Sequence, residues 1–358
     1  MNINQKISNL QLFFLLVNTV SATAVVFLQG IVAETAGRDS WLTPVIATIP
    51  GIYIIFIIFA LSNKYPNDTI YQYSEKIVGR LLGKFIALSF VLFFLYLCSA
   101  VLTQFSVLWK DHYFPDTPAW VIDMVMVIIT AYAVYKGVES IGRALEVMFP
   151  IMLTFFSVGV ILVFEHANFE YIRPLLENGI KPVLLGSLPP SAWRCEVIIL
   201  AVLYPFTNIN KHTKSVSFIA IICIGIVLTV NSIILTSVFG AGTTNLIYPT
   251  TELFRRPDIN VDSLFLTLWS AAVYFKLSIL YFIVVLGIKQ LFNLRDLKTV
   301  IIPIGILIIT LKHLSFESVI ETKAFLSSVF PPFALTIEVL IPTTLLIIAI
   351  ARNYAAKK

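Results

Sequence analysis

The stretch Asn18-Thr-Val-Ser-Ala-Thr-Ala-Val25 lies in the middle of the first long apolar segment, which runs from about residue 10 to residue 31. A helix of about 20 apolar residues crosses the roughly 30 Å hydrocarbon core of a bilayer, so this segment is long enough to span a membrane. Its centre nevertheless carries small and polar side chains: Asn18, Thr19, Ser21, Ala22, Thr23 and Ala24. Such a run either packs closely against other helices or marks a helix that opens locally, where freed backbone groups bind a small solute.

The composition is that of a polytopic membrane protein. Of the 358 residues, 58% are hydrophobic and only 13% are charged, and the mean hydropathy is +0.90. These values exclude a soluble domain and make membrane lipid the surrounding partner. The net charge of +5 comes from basic residues in short loops between apolar runs. Positive-inside topology explains those residues without nucleic acid.

Ten apolar segments predict an all-α membrane protein with about ten transmembrane helices. Their approximate ranges are 10–31, 41–61, 84–108, 119–135, 143–164, 181–205, 216–239, 262–286, 300–311 and 333–350. With a cytoplasmic N-terminus, 15 basic residues fall on the inner side and 8 on the outer side. This bias predicts that both termini are cytoplasmic.

The first and sixth segments are the two that carry interruptions. Gly186, Pro189 and Pro190 forbid an unbroken sixth helix. Five-plus-five inverted repeats, each beginning with an interrupted helix, are the plan of the LeuT-like transporters, whose breaks meet at the midplane. We therefore expect one permease-like domain over residues 1–358, with inverted repeats at about 8–165 and 180–313 and a terminal helix at 333–350. On this plan a solute site at Ser21 to Ala24 is favoured over a packing face.

Ionisable side chains inside predicted spans are costly unless they are paired or face water. Lys276 lies near mid-depth of the eighth span, and Glu196 is the acidic partner that we expect for it. Arg194 converges with Glu196 only if the chain is unwound between them. These groups either line a solute site or proton-linked switch, or form an ion pair that only fixes helix packing. The five such residues are Asp123, which we interpret as an interfacial carboxylate, Arg194, Glu196, Lys276 and Glu338.

Enzyme chemistry has little support in the sequence. The segment Gly79-Arg-Leu-Leu-Gly83-Lys84-Phe has the wrong spacing for a phosphate-binding loop and lacks its Ser or Thr. Neither the three cysteines nor the four histidines have the spacing of metal ligands. We therefore predict no catalytic activity, cofactor or metal, and any transport would be secondary.

Several short motifs occur along the chain in a particular order. They are Ile7-Ser-Asn-Leu-Gln11, Asn18-Thr19, Ala33-Glu-Thr-Ala-Gly-Arg-Asp-Ser-Trp41, Cys195-Glu196-Val, and Trp269-Ser-Ala-Ala-Val-Tyr-Phe-Lys276-Leu-Ser278. In order and spacing the chain resembles the spore germination permease family over nearly its whole length. That family is the B subunit of the nutrient germinant receptors of endospore-forming bacteria.

The resemblance implies a fold similar to that of amino acid/polyamine/organocation transporters and a place in the spore inner membrane. It also implies that the protein recognises a small nutrient, such as an amino acid or nucleoside. The protein would then trigger germination together with an A subunit and a lipoprotein C subunit. In relatives the first-span break is often rich in glycine, whereas Ala22, Thr23 and Ala24 stand at the matching positions here. This departure leaves less room for unwinding.

When the family's ligand site is carried over by position, the charged groups of a ligand would meet the two breaks. These breaks are Ser21 to Ala24 and Ser191 to Glu196, and the second includes Arg194. Helix N-terminal amides suit a carboxylate there, and exposed carbonyls suit an ammonium. The expected side-chain pocket is formed by Tyr96, Ser99, Tyr274 and Ser278.

Two functions remain open from the sequence. One is a receptor, in which a ligand shifts the balance between transporter-like states and partner subunits respond. The other is an autonomous proton-coupled secondary amino acid transporter, in which Lys276 or Glu196 titrates in each cycle. A structural membrane scaffold is a third interpretation.

Overall fold

The structure is a computed structural model that describes residues 5–256, 261–315 and 319–355. The predicted inner-side bases Lys357 and Lys358 lie outside the described residues. The helices are α1 (Asn9–Ala36), α2 (Thr43–Ser62), α3 (Ile70–Val78), α4 (Arg80–His112), α5 (Ala119–Lys136), α6 (Val138–Val163), α7 (Lys181–Gly186), α8 (Leu188–Cys195), α9 (Leu200–Leu203), α10 (Thr213–Phe239), α11 (Pro249–Phe254), α12 (Asp262–Leu291), α13 (Lys298–Ser315), α14 (Val319–Ala324), α15 (Phe330–Leu335) and α16 (Ile341–Ala355).

Nine helical stretches within the described ranges are long and apolar enough to cross a membrane. The first, Asn9–Ser62, is 54 residues long and contains both α1 and α2, joined by the 3₁₀ turn Gly37–Leu42. Because one pass needs about 20 residues, this stretch accounts for two predicted spans. All ten predicted segments therefore correspond to helical stretches.

The first span is continuous, which corrects the expectation of a break at Ser21 to Ala24. α1 runs unbroken for 28 residues from a capping box formed by Ser8 and Gln11. Its polar side chains bind neighbouring helices instead; the Asn18 amide donates to the Ala272 carbonyl at 2.9 Å. The small residues thus act as a close packing face for a helix that is buried on almost all sides.

The sixth span is interrupted at the predicted glycine and prolines. α7 ends at Gly186, whose added Cβ would lie 3.1 Å from the Ala36 Cβ. Pro189 and Pro190 then fall in the first turn of α8, where a missing N–H costs nothing. A second irregularity follows, because the helix tightens into a 3₁₀ turn over Glu196–Ile199 before α9 begins.

Two other regions differ from the predicted boundaries. The connection predicted at 63–83 contains α3, which buries Tyr71, Tyr73 and Ile77. The last helical stretch begins at Val319 rather than at residue 333. Two π-helical turns, Phe325–Val329 and Thr336–Leu340, flank the short helix α15. Pro331 and Pro332 at the start of α15 interrupt regular α-helical hydrogen bonding, and the wider turns on either side accommodate this interruption.

The most enclosed elements are α1, α12 and the broken sixth span. In the most apolar part of each stretch, 83% of residues are buried in Lys181–Phe206 and 78% in α12, against 17% in the stretch that includes α6. α1 packs against α6, α10 and α12. Polar groups carried by these central elements are therefore screened from lipid and can form a site.

We predict that Gly51→Val destabilises the packing of α2 against α8 and α10. A Cβ at this position would lie 2.5 Å from the Arg194 Cγ and 2.7 Å from the Ile221 Cδ1. Overpacking of this kind typically costs about 1–3 kcal/mol, so the melting temperature of the purified protein falls. Gly242→Val is the control, because nothing lies within 4 Å of its added Cβ. Equal melting temperatures for the two variants would contradict the predicted close approach.

Candidate functional site

A buried ion pair joins α12 to the broken sixth span. The Lys276 Nζ lies 2.7 Å from the Glu196 Oε2, and both side chains are fully buried. Glu196 begins the 3₁₀ turn that follows α8. This is the partner that the sequence analysis named for Lys276, although its role in binding stays a prediction. Withdrawing both charges from water is tolerable only with further hydrogen bonds around them.

The hydroxyl of Thr23 supplies such a hydrogen bond and ties α1 to the pair. Thr23 Oγ1 accepts from the Lys276 Nζ at 2.9 Å and from the Trp193 Nε1 at 3.1 Å. One side chain at the centre of α1 thus contacts both α12 and α8. Of the residues predicted at the first break, Thr23 is the one that the structure places in this cluster.

The main-chain carbonyls near the expected break already have side-chain donors. The Trp269 indole donates to the Ala22 carbonyl at 2.6 Å. The Val25 carbonyl accepts from Thr250 at 2.6 Å and from Asn231 at 3.0 Å. These carbonyls are therefore not free to accept a hydrogen bond from a ligand in this state.

A closed cavity lies against the ion pair, with too little space for a water molecule. Thr23, Gln104, Glu196 and Lys276 form its polar wall, and the apolar wall includes Ala100, Val101, Trp193 and Phe330. The Glu196 Oε1 and the Gln104 Oε1 are both buried and have no hydrogen-bond partner among the described residues. Buried acceptors without donors are costly, and together they suit a ligand that donates hydrogen bonds.

Two further cavities lie along α1, and neighbouring cavities share wall residues; Ile31 lines both of the further ones. The first shares Gln104 and Leu326 with the closed cavity and reaches Lys323. The second has a volume of about 280 Å³ and is lined partly by Glu34, Ser327 and Ser328. The Lys323 Nζ and the Glu34 Oε1 are 2.6 Å apart, so this ion pair joins a wall residue of the first cavity to a wall residue of the second.

Several predicted site residues lie away from the ion pair. Tyr274 and Ser278 are each two positions from Lys276, or about 200° round the helix, so they lie on the opposite face of α12. The Tyr96 ring packs edge-on against Phe325, with centroids 5.4 Å apart. The Ser99 hydroxyl donates to the Tyr96 carbonyl at 2.7 Å.

The remaining predicted site residues contact other parts of the protein. Arg194 is fully buried and does not converge with Glu196, because its guanidinium donates to the Pro44 carbonyl at 3.3 Å and to the Ile221 carbonyl at 3.5 Å. The Ser191 hydroxyl donates to the carbonyl of Ser187, the N-cap residue of α8. Ser21 and Ala22 line a separate apolar cavity of about 100 Å³ on another side of α1, and Ala24 is buried.

Asp123 corrects the expectation of an ordinary interfacial carboxylate. Its side chain is fully buried, and its Oδ2 lies 2.9 Å from the Lys312 Nζ and 3.1 Å from the His313 Nε2. Packing of α5 against α13 brings these groups together. The pair fixes the two helices to each other at a distance from the Lys276 cluster.

Sequence reasoning missed Gln104, Trp193 and Phe330 as wall residues of the cavity. A glutamine in an otherwise apolar span is itself a signal, since its amide needs partners in hydrocarbon. The aromatic residues carry no comparable signal, because such rings are common throughout this chain.

Comparison with known proteins identifies spore germination proteins as similar to this chain. The family model described as Spore germination protein matches residues 6–317. Spore germination protein KB of Bacillus subtilis (strain 168) is 23% identical, with 99% of this chain and 97% of that protein covered. Spore germination protein YndE of the same strain is 28% identical, over 82% of this chain and 83% of that protein. Spore germination protein XB of Bacillus anthracis is 25% identical, over 76% and 78%.

Solved structures of transporters have the same fold. MhsT in complex with L-phenylalanine aligns with a TM-score of 0.67 at 13% identity and covers 98% of this chain and 99% of that one. A Na⁺-coupled sialic acid symporter gives 0.67 at 14% identity, and Mhp1, a nucleobase-cation-symport-1 family transporter, gives 0.65 at 15%. Each of these two covers 94% of this chain and 78% of its own. The predicted LeuT-like helical fold and integral membrane class are confirmed.

We predict that Lys276→Met strongly destabilises the protein, because it leaves Glu196 buried without its cation. Breaking a buried pair in this way typically costs about 3–5 kcal/mol, seen as a lower melting temperature. Adding Glu196→Gln to Lys276→Met restores much of the loss. Lys289→Met is the control, since this partly exposed lysine lies near the end of the same helix. A double variant as unstable as Lys276→Met alone would show that the pairing of charge is not the cause.

Proposed function

Because the chain belongs to the spore germination protein family, we propose that it is the nutrient-sensing membrane subunit of a spore germinant receptor. Its ligand is a small nutrient bound at mid-membrane in the cavity beside Lys276 and Glu196. The protein resides in the spore inner membrane with both termini cytoplasmic. Its partners are an A subunit and a lipoprotein C subunit, which respond when the ligand shifts the balance between closed and open states.

The single observation that carries this proposal is the set of unused polar atoms around the closed cavity. A lysine ammonium has three N–H donors, and Glu196 and Thr23 occupy two of those of Lys276. The third has no acceptor among the described residues and suits a carboxylate. The unpartnered oxygens of Glu196 and Gln104 suit an ammonium. The two sets together complement the zwitterion of an amino acid better than they complement a nucleoside.

The apolar wall indicates the side chain that the site accepts. Ala100, Val101, Trp193 and Phe330 face the same cavity, so a small apolar side chain fits there once the walls separate. The cavities on either side of the Glu34–Lys323 pair supply the entry route. Opening that route breaks a partly exposed ion pair, which costs little, since exposed pairs are worth about 0–1 kcal/mol.

An autonomous proton-coupled amino acid transporter is the second candidate, and it is favoured by the titratable pair at the junction of α12 with the broken sixth span. Purified protein in liposomes distinguishes the two. The receptor predicts ligand binding without net flux of labelled amino acid when the other subunits are absent. The transporter predicts uptake that an imposed proton gradient drives and that Glu196→Gln abolishes.

We predict that a screen of amino acids by thermal shift identifies a stabilising ligand and that Ala100→Leu abolishes the shift. A ligand at 100 times its Kd adds about 2.7 kcal/mol to the stability of a protein that binds it only when folded. Leucine at position 100 fills the cavity. Gln104→Ala, which removes an acceptor without adding volume, weakens the shift, and Ala351→Leu on the exposed part of α16 leaves it unchanged. A full shift in both cavity variants would place the ligand elsewhere.

We also predict that Lys323→Met opens the route to the cavity. In a cysteine-free background, Gln104→Cys should then react faster with a water-soluble thiol reagent. The reason is that the ion pair with Glu34 no longer closes the passage between the two cavities. Lys211→Met is the control, as it removes an exposed lysine that lines none of these cavities. Unchanged labelling in the Lys323→Met protein would assign the entry route to another face.

A further inference from the structure

Glu338 is a buried acid that the proposed nutrient site does not use. It lies in the π-helical turn Thr336–Leu340 and is fully buried. Neither carboxyl oxygen has a hydrogen-bond partner among the described residues. An ionised carboxylate held this way, without a donor or cation in contact, is among the most costly arrangements in a protein interior.

The charged groups that face Glu338 do not neutralise it. Lys276 and Glu196 are close enough to interact with it electrostatically, but the ammonium of Lys276 is already in contact with Glu196. From α8, Cys195 is also close enough to interact with it electrostatically, whereas the Arg194 guanidinium donates to carbonyls of α2 and α10. Two carboxyl groups therefore share one ammonium, which leaves one positive charge missing from the cluster.

A proton is the cation that this environment can take. A metal ion requires several oxygen ligands or retained waters, and no group of three metal-ligating side chains is found within the described ranges. The cavity beside Lys276 has no room for a water molecule. A proton needs no added volume and removes the charge entirely.

We propose that Glu338 is a proton-binding site, a neutral carboxylic acid while the cluster is closed, that ionises when the cluster opens to water. The idea rests on the proposed function, because the opening in question is that of the nutrient site. Glu338 is not a wall residue of the closed cavity, so we expect water to reach its carboxyl only when Lys276 and Glu196, with which it interacts electrostatically, move apart. In water the ionised form is favoured at neutral pH. Rising pH therefore shifts the protein toward the open state, and falling pH holds it closed.

Infrared difference spectroscopy of the purified wild-type protein tests the proton directly and needs no ligand. At pH 7 we expect the carbonyl stretch of a protonated acid in the wild type and its loss in Glu338→Gln, an isosteric neutral replacement that preserves the fold. Glu165→Gln, at an exposed position, should remove only carboxylate bands. If the Glu338→Gln difference also contains only carboxylate bands, the proposal is overturned.

A second measurement tests the link to opening, and its first comparison keeps Glu338 intact. At each pH, labelling of Gln104→Cys is divided by labelling of Glu165→Cys, at an exposed position, because thiolate formation alone raises the reactivity of any cysteine over this range. In the cysteine-free background this ratio should rise several-fold between pH 6 and pH 8 and become independent of pH when Glu338→Gln is added. A ratio that does not change with pH while Glu338 is intact overturns the link. Absence of a nutrient ligand in the thermal-shift screen would refute the proposed function, while the infrared result would still decide the proton site.

Discussion

A single ammonium group, the Lys276 Nζ, sets the arrangement of the centre of this protein. It contacts Glu196 on the broken sixth span and Thr23 on α1, so three elements that are remote in sequence meet at one point. In the low-dielectric interior the position of such a charge is tightly constrained, because a small displacement leaves a buried ion without its partner. The tight 3₁₀ turn at Glu196 and the Trp193 indole bond to Thr23 are consistent with that demand.

Much of the fold follows from the sequence, because the constraint of the bilayer is severe. Each backbone polar group must be satisfied within its helix, so ten apolar segments predict ten helical stretches, and Gly186 with its following prolines predicts the break in the sixth. The Lys276–Glu196 contact was predictable for the same reason, since few acids lie in the spans. The continuity of α1 was not, because small and hydroxyl residues serve equally for a close packing face and for an opened helix. Which of the two occurs depends on donors supplied by Trp269, Thr250 and Asn231, all more than 200 residues away.

The side-chain pocket shows a different limit of sequence reasoning. Tyr274 and Ser278 share an apolar span with Lys276, yet their phase on the helix directs them to its opposite face. Gln104 and Trp193 reach the cavity because α4 and α8 converge there, which no local pattern encodes. The proposed ligand site uses side-chain groups rather than open backbone, and this choice has consequences for selectivity. Ligands that lack one hydrogen-bonding group leave a buried partner unsatisfied and are rejected more strongly than ligands that differ by a methylene.

The separation of Thr23 from Lys276 along the chain also constrains how the protein is made. The two residues are 253 positions apart, and at synthesis rates of about 5–20 residues per second roughly 13 to 50 seconds pass between them. During that interval α1 lacks α12, which supplies the carbonyl that Asn18 binds and the ammonium that Thr23 accepts from. The hydrophobic residues at both ends of α1 must hold it in the membrane during this wait. The apolar flanks of the first helix therefore serve twice, first by holding it in the bilayer during synthesis and then by packing in the core of the finished protein.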